Sequence, residues 1–215
     1  MNNGRFIVLE GIDGAGTTTH TKRLASALKS QQVPVHHTRE PSDGPIGVLL
    51  RQILTRRVVV PGMTDYRPPS WQSMALLFAA DRMDHLQAEI EPNLAEGVCV
   101  ISDRYDYSSV AYQTLSAEAG PDAVEWVKTL NRYAKRPDLT IVLDVTAEVS
   151  AQRRASRSAV PELYETDDLQ ARLAKFYDRI DDHFPGDSIV HIDAHRDVDA
   201  VAADILEHVM QVVRS

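Results

Sequence analysis

The sequence predicts a three-layer α/β domain, with five parallel strands lying between helices on both faces. Three observations point there. Short apolar runs alternate with stretches of helical periodicity, the pattern of repeated β-α-β units. The apolar runs are continuous rather than alternating, as expected of strands covered on both sides. A glycine-rich segment also stands directly between the first apolar run and the first helical stretch.

Taken in order, Phe6-Ile7-Val8-Leu9 reads as a fully buried first strand. Leu24 and Leu28 fall four apart in a helix predicted over 18–31. Residues 35–39 form a shorter, more polar strand, and 46–54 a second helix. Pro61, Gly62, Pro68 and Pro69 mark a loop before a long helix over 71–90. The third strand is Val98-Cys99-Val100-Ile101. A helix over 122–133 leads to the fourth strand, 139–143. Helices over 147–155 and 167–183, a strand over 189–192 and a last helix over 198–213 complete the pattern. No repeat or interdomain linker interrupts it, so residues 1–215 are expected to form one domain.

The composition belongs to an ordinary globular protein: of 215 residues, 43% are hydrophobic and 25% charged. The single cysteine, Cys99, cannot form an intramolecular disulfide, and its apolar setting suggests a buried small hydrophobe rather than a nucleophile. No basic-then-apolar leader and no bilayer-length apolar segment is present, so the cytoplasm is the expected compartment. A formal net charge of −8 excludes broad nucleic-acid or anionic-membrane binding. A small anionic ligand remains compatible with it, provided that cations are focused locally.

The glycine-rich segment is Gly11-Ile12-Asp13-Gly14-Ala15-Gly16-Thr17-Thr18-Thr19. It follows the phosphate-loop pattern G-x-x-x-x-G-K-[ST] in the required strand-loop-helix context, which predicts ATP binding in a P-loop kinase fold. Glycines let the backbone turn its N–H groups toward phosphate oxygens, and the helix N-terminus adds its dipole. Thr18 occupies the position whose hydroxyl binds Mg²⁺. Thr17 occupies the lysine position. Charges aimed at a phosphoryl-transfer transition state can be worth about 10³ to 10⁵ in rate, roughly 4 to 7 kcal/mol. A threonine brings none of that charge, so other cations take over or the transfer is slow.

From here the chain resembles the thymidylate kinase family, over nearly its whole length and in the right order. The motifs are Glu10-Gly11-Ile12-Asp13-Gly14-Ala15-Gly16, Thr38-Arg39-Glu40-Pro41, Leu77-Phe78-Ala79-Ala80-Asp81-Arg82, Asp103-Arg104-Tyr105 continuing to Ala111-Tyr112-Gln113 in the helix beyond, and Arg136-Pro137-Asp138-Leu139. The resemblance implies transfer of a phosphoryl group from ATP to dTMP, with Mg²⁺, on the way to dTTP. It implies that Phe78 stacks on thymine and Arg82 bonds its edge; the two share a helix face. Taken alone, the same pair fits a core phenylalanine and an arginine paired with Asp81 or Asp84. By similarity, Arg104 holds the dTMP phosphate and Asp103 organises Mg²⁺. Arg39 contacts the acceptor phosphate or the transferring group. Asp13 meets the 3′-hydroxyl or metal-bound water, Tyr112 lies against the sugar, and Gln113 is near the base. Ser109 falls where some relatives carry a longer polar residue. The family also implies a homodimer.

Family members place a catalytic arginine in the phosphate loop or in the lid after the fourth strand. Here the loop has none, so the lid segment, about 152–165, supplies the candidates Arg153, Arg154 and Arg157, any of which could cover for the absent lysine. A further arginine that many relatives carry before Tyr164-Glu165 is replaced by Pro161-Glu162-Leu163. Two other activities stay open: a nucleotide-binding homologue with impaired transfer, and a kinase for another nucleoside monophosphate. The alternating His191, Asp193 and His195 read as the ordinary end of a strand rather than a metal site. His36 and His37 point to opposite faces, and His20 is expected at the surface.

Overall fold

The computed structural model describes residues 4–58, 68–116, 119–120, 122–156 and 162–214. It contains the predicted five-stranded sheet: β1 (Phe6–Glu10), β2 (Val35–Arg39), β3 (Cys99–Asp103), β4 (Leu139–Asp144) and β5 (Ile189–Asp193). All neighbours pair in parallel, in the order β2-β3-β1-β4-β5. β1 and β3 are buried along their whole length, and β4 in all but its last residue, which accounts for their unbroken apolarity. β2 and β5 are the edges, where His37, Arg39, His191 and Asp193 are exposed.

Two strands run further than their apolar runs: β1 takes in Glu10, and β3 takes in Ser102 and Asp103. Register pairs Leu9 with Asp103 and Asp103 with Arg39, so the charged ends of three adjacent strands lie level at one edge of the sheet. That carboxyl edge, between the outward-ordered strands β1 and β3, is where open α/β sheets collect ligands.

Helices α1 (Thr17–Ser30) and α10 (Val198–Val213) pack side by side on one face. On the other, α3 (Trp71–His85), α5 (Asp106–Leu115) and α8 (Asp167–Tyr177) pack together, with α2 (Pro45–Leu54) against α3. The main core spans the sheet. A smaller cluster of Leu50, Ile53, Leu54 and Met74 joins α2 to α3.

The long predicted helix over 71–90 is real but not uniform. α3 passes into a π-helical turn, Leu86–Ile90, and then α4 (Glu91–Ala95). Pro92 lacks the N–H that would bond back to residue 88, and the chain takes a wider turn immediately before it. Ser70 caps α3, its hydroxyl accepting the Ser73 N–H at 3.2 Å, just after Pro68 and Pro69. Pro61 and Gly62 lie outside the described residues. α5 escapes the apolar periodicity, being half polar, although the family motif places a helix there. α6 (Ala123–Leu130) is shorter than predicted, α7 (Ala147–Ala155) agrees, and the predicted 167–183 helix stops at Tyr177, Arg179 (φ −129°) turning the chain into α9 (Ile180–His183).

Cys99 is 3% exposed, and burial pushes its thiol up to about 12, leaving it chemically inert at neutral pH. His191 is held between Asp144 (3.0 Å) and Asp181 (2.9 Å), while His195 bonds Asp193 (2.7 Å). Among the described residues no group of His, Cys, Asp or Glu is arranged to hold a metal ion, and no helix is long and apolar enough to cross a membrane.

Candidate active site

Between β1 and α1 the chain turns through Gly11, Gly14 and Gly16, at φ +151°, +96° and +104°. Gly14 has a second reason to lack a side chain: a Cβ there would lie 2.7 Å from Ser150 O on α7. The loop's carbonyls are held by that helix. Ser150 Oγ donates to Asp13 O at 2.5 Å, Arg154 to Asp13 O at 3.0 Å and Arg153 to Ala15 O at 3.3 Å. The amide groups of Gly14, Gly16, Thr17, Thr18 and Thr19 have no carbonyl partner among the described residues; the first to bond back is His20, to Gly16 O at 3.0 Å. Free amides on one side and fixed carbonyls on the other make a cradle for an anion.

Thr18 Oγ1 donates to Asp103 Oδ2 at 2.5 Å, so these two side chains meet across the β1–β3 boundary. The other oxygen, Asp103 Oδ1, is buried with no hydrogen-bond partner. An orphaned buried carboxylate oxygen beside a hydroxyl is a donor set suited to a hard cation. Thr17 is buried and uncharged. The two described lid arginines are tied to the loop itself: Arg153 also donates to Ala194 O (2.8 Å), and Arg154 pairs with Asp167 (3.0 Å). Arg157 lies outside the described residues. His20, expected at the surface, is instead 4% exposed. The left-handed turn at Gly16 lets its ring tuck under the loop, and burial, with Arg23 and Arg153 nearby, holds its pKa below the usual value.

Next to the cradle a cleft opens between the ends of β2 and β3 and the helices α3 and α5, with Phe78, Arg82, Tyr105, Tyr112 and Gln113 in its walls. Phe78 and Arg82 share a face of α3, as the spacing implies. Arg82 is paired neither with Asp81 nor with Asp84. Its guanidinium bonds Glu40 Oε2 at 2.6 Å, Ser109 Oγ at 3.0 Å and Asn131 Oδ1, and lies 5.1 Å from the Tyr105 ring centre. Asp81 instead accepts from Ser42 N and Oγ, pinning the chain after β2 to α3. Ser109 therefore reaches the cleft with its hydroxyl already engaged. Five buried polar atoms of these walls remain unpartnered: Arg82 Nε, Tyr105 OH, Tyr112 OH and both ends of the Gln113 amide. Each such atom costs about 1–3 kcal/mol unless something fills it.

At the junction of cleft and cradle stands Arg104, at φ +72°. It donates to Gly11 O (2.8 Å) and Ser108 Oγ (3.0 Å), pairs with Asp13 (2.6 Å), and lies over Tyr112, 5.1 Å from the ring centre. Gln170 clamps Asp13 from the other side, accepting its N–H at 3.0 Å and donating to its carboxylate at 2.7 Å. Arg39 is exposed at the rim, paired with Asp43 at 2.8 Å.

A family model described as thymidylate kinase matches residues 9–205 of this chain. Proteins named probable thymidylate kinase are similar over almost their full length. That of Pyrococcus horikoshii is 39% identical over 203 residues, covering 92% of this chain and 95% of the relative. That of Thermococcus kodakarensis is 40% identical over 201 residues, 94% and 95%. That of Staphylothermus marinus is 39% identical over 213 residues, 97% and 98%. The chain belongs to the thymidylate kinase family.

Within the family motifs, several residues that hold this site together were given no role from sequence. Glu10 and Glu40 lie inside quoted motifs; for Glu10, an acid at the end of a buried strand was the available signal. Tyr105 ends the quoted motif Asp103-Arg104-Tyr105 but was given no role, while Ser108, Asn131 and Gln170 are isolated polar residues on helices and turns with no sequence pattern to mark them. Glu10 is fully buried and accepts from Tyr105 N (2.7 Å), Ser108 Oγ (2.7 Å) and Tyr177 OH (2.8 Å). Burial outweighs those donors and the Arg104 charge, raising its carboxyl from 4.5 to about 7. Between those two values the folded chain keeps a proton that the unfolded chain has lost, so stability falls as pH rises through the window. The loss is on the order of 3 kcal/mol. In Glu10→Gln this titration is gone: the wild type should lose melting temperature relative to the variant between about pH 5 and about pH 8. Melting curves that shift in parallel for the two proteins would refute the assignment.

Proposed function

We propose that this protein transfers the γ-phosphoryl group of ATP to dTMP, giving dTDP and ADP for dTTP synthesis. Family membership supports the reaction, and one observation carries the acceptor: the unpartnered Arg82 Nε, Tyr105 OH and Gln113 amide in a cleft walled by Phe78. Thymine is flat and neutral, with carbonyl acceptors and one N–H donor on its edge. An arginine donor, an amide offering both a donor and an acceptor, and an aromatic face complement it.

The chain's own residues then divide the work. The loop amides and the α1 N-terminus bind the donor phosphates. Arg104, already fixed by Gly11 O, Ser108 and Asp13, meets the acceptor phosphate, and Arg39 at the rim can swing from Asp43 to the transferring group. Asp13 and Tyr112 border the sugar. Thr18 and Asp103 would hold Mg²⁺, which neutralises charge on the donor phosphates when bound. The acceptor phosphate is already ionised at neutral pH, so positioning and charge neutralisation suffice and no protein nucleophile is needed. Arg153 and Arg154 supply charge beside a loop that lacks its lysine.

The whole chain acts as one domain, and we extend the proposal to a homodimer: Val48 and Leu49 on α2 and Leu76 on α3 expose 41%, 39% and 52% of their surface on helices packed against each other. Sedimentation should show a dimer and Leu76→Glu a monomer; a monomeric wild type would end that part.

ADP release with ATP, Mg²⁺ and a panel of monophosphates tests the reaction. dTMP should lead, with dUMP, lacking one methyl group, lower by about tenfold in kcat/KM. Nucleotide binding without turnover would instead favour an impaired homologue, and a different leading acceptor would overturn the substrate. Thr17→Lys should raise kcat, because it restores a charge to the terminal phosphates. Loss of turnover in that variant would mean that the site is built around the threonine.

A further inference from the structure

A line of ionisable side chains runs from the β2 edge of the sheet to the base cleft, which its last two members, Glu40 and Arg82, help to line. His85, at the end of α3, has a fully buried side chain. Its Nδ1 is 3.3 Å from Glu40 Oε1, and its Nε2 is 2.8 Å from Thr38 Oγ1 and 3.4 Å from Glu89 Oε2. Glu40 passes the contact on through Oε2 to Arg82, at 2.6 Å, and Glu89 passes it outward through Oε1 to His36, at 2.6 Å. The order is His36, Glu89, His85, Glu40, Arg82.

We propose that His85 is a positioning residue for the acceptor base: as an imidazolium clamped between Glu40 and Glu89, it holds the Glu40 carboxylate against Arg82 and so fixes the direction in which Arg82 Nε–H meets the nucleobase. The proposal rests on the kinase activity proposed above. Charge supports it. The charged groups facing His85 are Glu40 after β2, Asp81 on its own helix, Glu89 in the π-helical turn and Asp43 in the β2–α2 loop, all carboxylates. Arg82 and His36 stand behind Glu40 and Glu89. Only the protonated ring can donate to Glu40 and to the Thr38–Glu89 side together; the neutral ring has one N–H and must present a lone pair to one of them. The attraction of Glu40 and Glu89 overcomes burial and raises the His85 pKa above 6.5. Among the described residues, three groups hydrogen-bond the Arg82 guanidinium, and of these Glu40 carries the charge. A neutral His85 can still donate from Nδ1 to Glu40 while Nε2 accepts from Thr38. It no longer shares the Glu40 charge, which then draws Arg82 off its line.

Thymidine tests this without the titrating phosphate of dTMP. Its affinity for the full chain, measured by calorimetry between about pH 6 and about pH 8.5, should weaken as His85 loses its proton. In His85→Gln binding should be about tenfold weaker and should keep only the pH dependence that Glu10 contributes, measured separately in Glu10→Gln. The KM for dTMP should rise with it, while the KM for ATP stays within about twofold. Glu89→Gln, on the half-exposed side of the line, lowers the His85 pKa and should move the wild-type transition to lower pH. It also carries the test if His85→Gln fails to fold. Wild-type affinity and pH profile in both variants, or equal rises in the two KM values, would overturn the proposal. A wild type that binds neither thymidine nor dTMP would instead bring down the proposed reaction itself.

Discussion

Three carboxylates taken out of water at one edge of the sheet govern this structure. Glu10 ends β1, Glu40 follows β2 and Asp103 ends β3, and each is at most 8% exposed. A buried carboxylate demands donors or cations. Glu10 gathers the Tyr105 amide, Ser108 and Tyr177. Glu40 gathers Arg82 and His85. Asp103 has Thr18 on one oxygen and nothing on the other. The partners that satisfy these acids are the groups that shape the nucleotide site or brace those that do. Ser108, bonded to Glu10, also accepts from Arg104, so Arg104 is held through a chain that begins in the core.

Against that background the threonine at position 17 changes the electrostatics but not the architecture. The cradle's free amides and the helix dipole depend on the backbone, which the glycines secure whatever side chain follows Gly16. What is missing is a mobile charge able to follow the terminal phosphates. The fixed guanidinium groups of Arg104, Arg153 and Arg154 bond the loop's own carbonyls, so their charge is delivered through the loop's frame rather than from a free side chain.

Sequence made the sheet legible because its central strands are buried on both faces and therefore carry long apolar runs. The phosphate loop was legible for a different reason: its backbone geometry demands glycine at set positions. The acceptor cleft was legible only through family motifs, since Phe78 and Arg82 alone also describe a core residue and a salt bridge. What stayed hidden were contacts between distant segments. Nothing in the sequence ties Gln170 to Asp13, Asn131 to Arg82 or His85 to Glu40. His20 misled because a histidine in the first turn of a helix is exposed unless the preceding loop folds over it, which is decided by the left-handed turn at Gly16.

The close approach of Gly14 to Ser150 limits the evolutionary routes open to this chain. Here an arginine at position 14 of the phosphate loop would drive a side chain into the backbone of α7, 2.7 Å away, from a residue already at φ +96°. The two ways of supplying the charge are thus not neighbours in sequence space for this protein. To cross from one to the other, α7 would have to retreat first, releasing the Asp13 and Ala15 carbonyls that it holds.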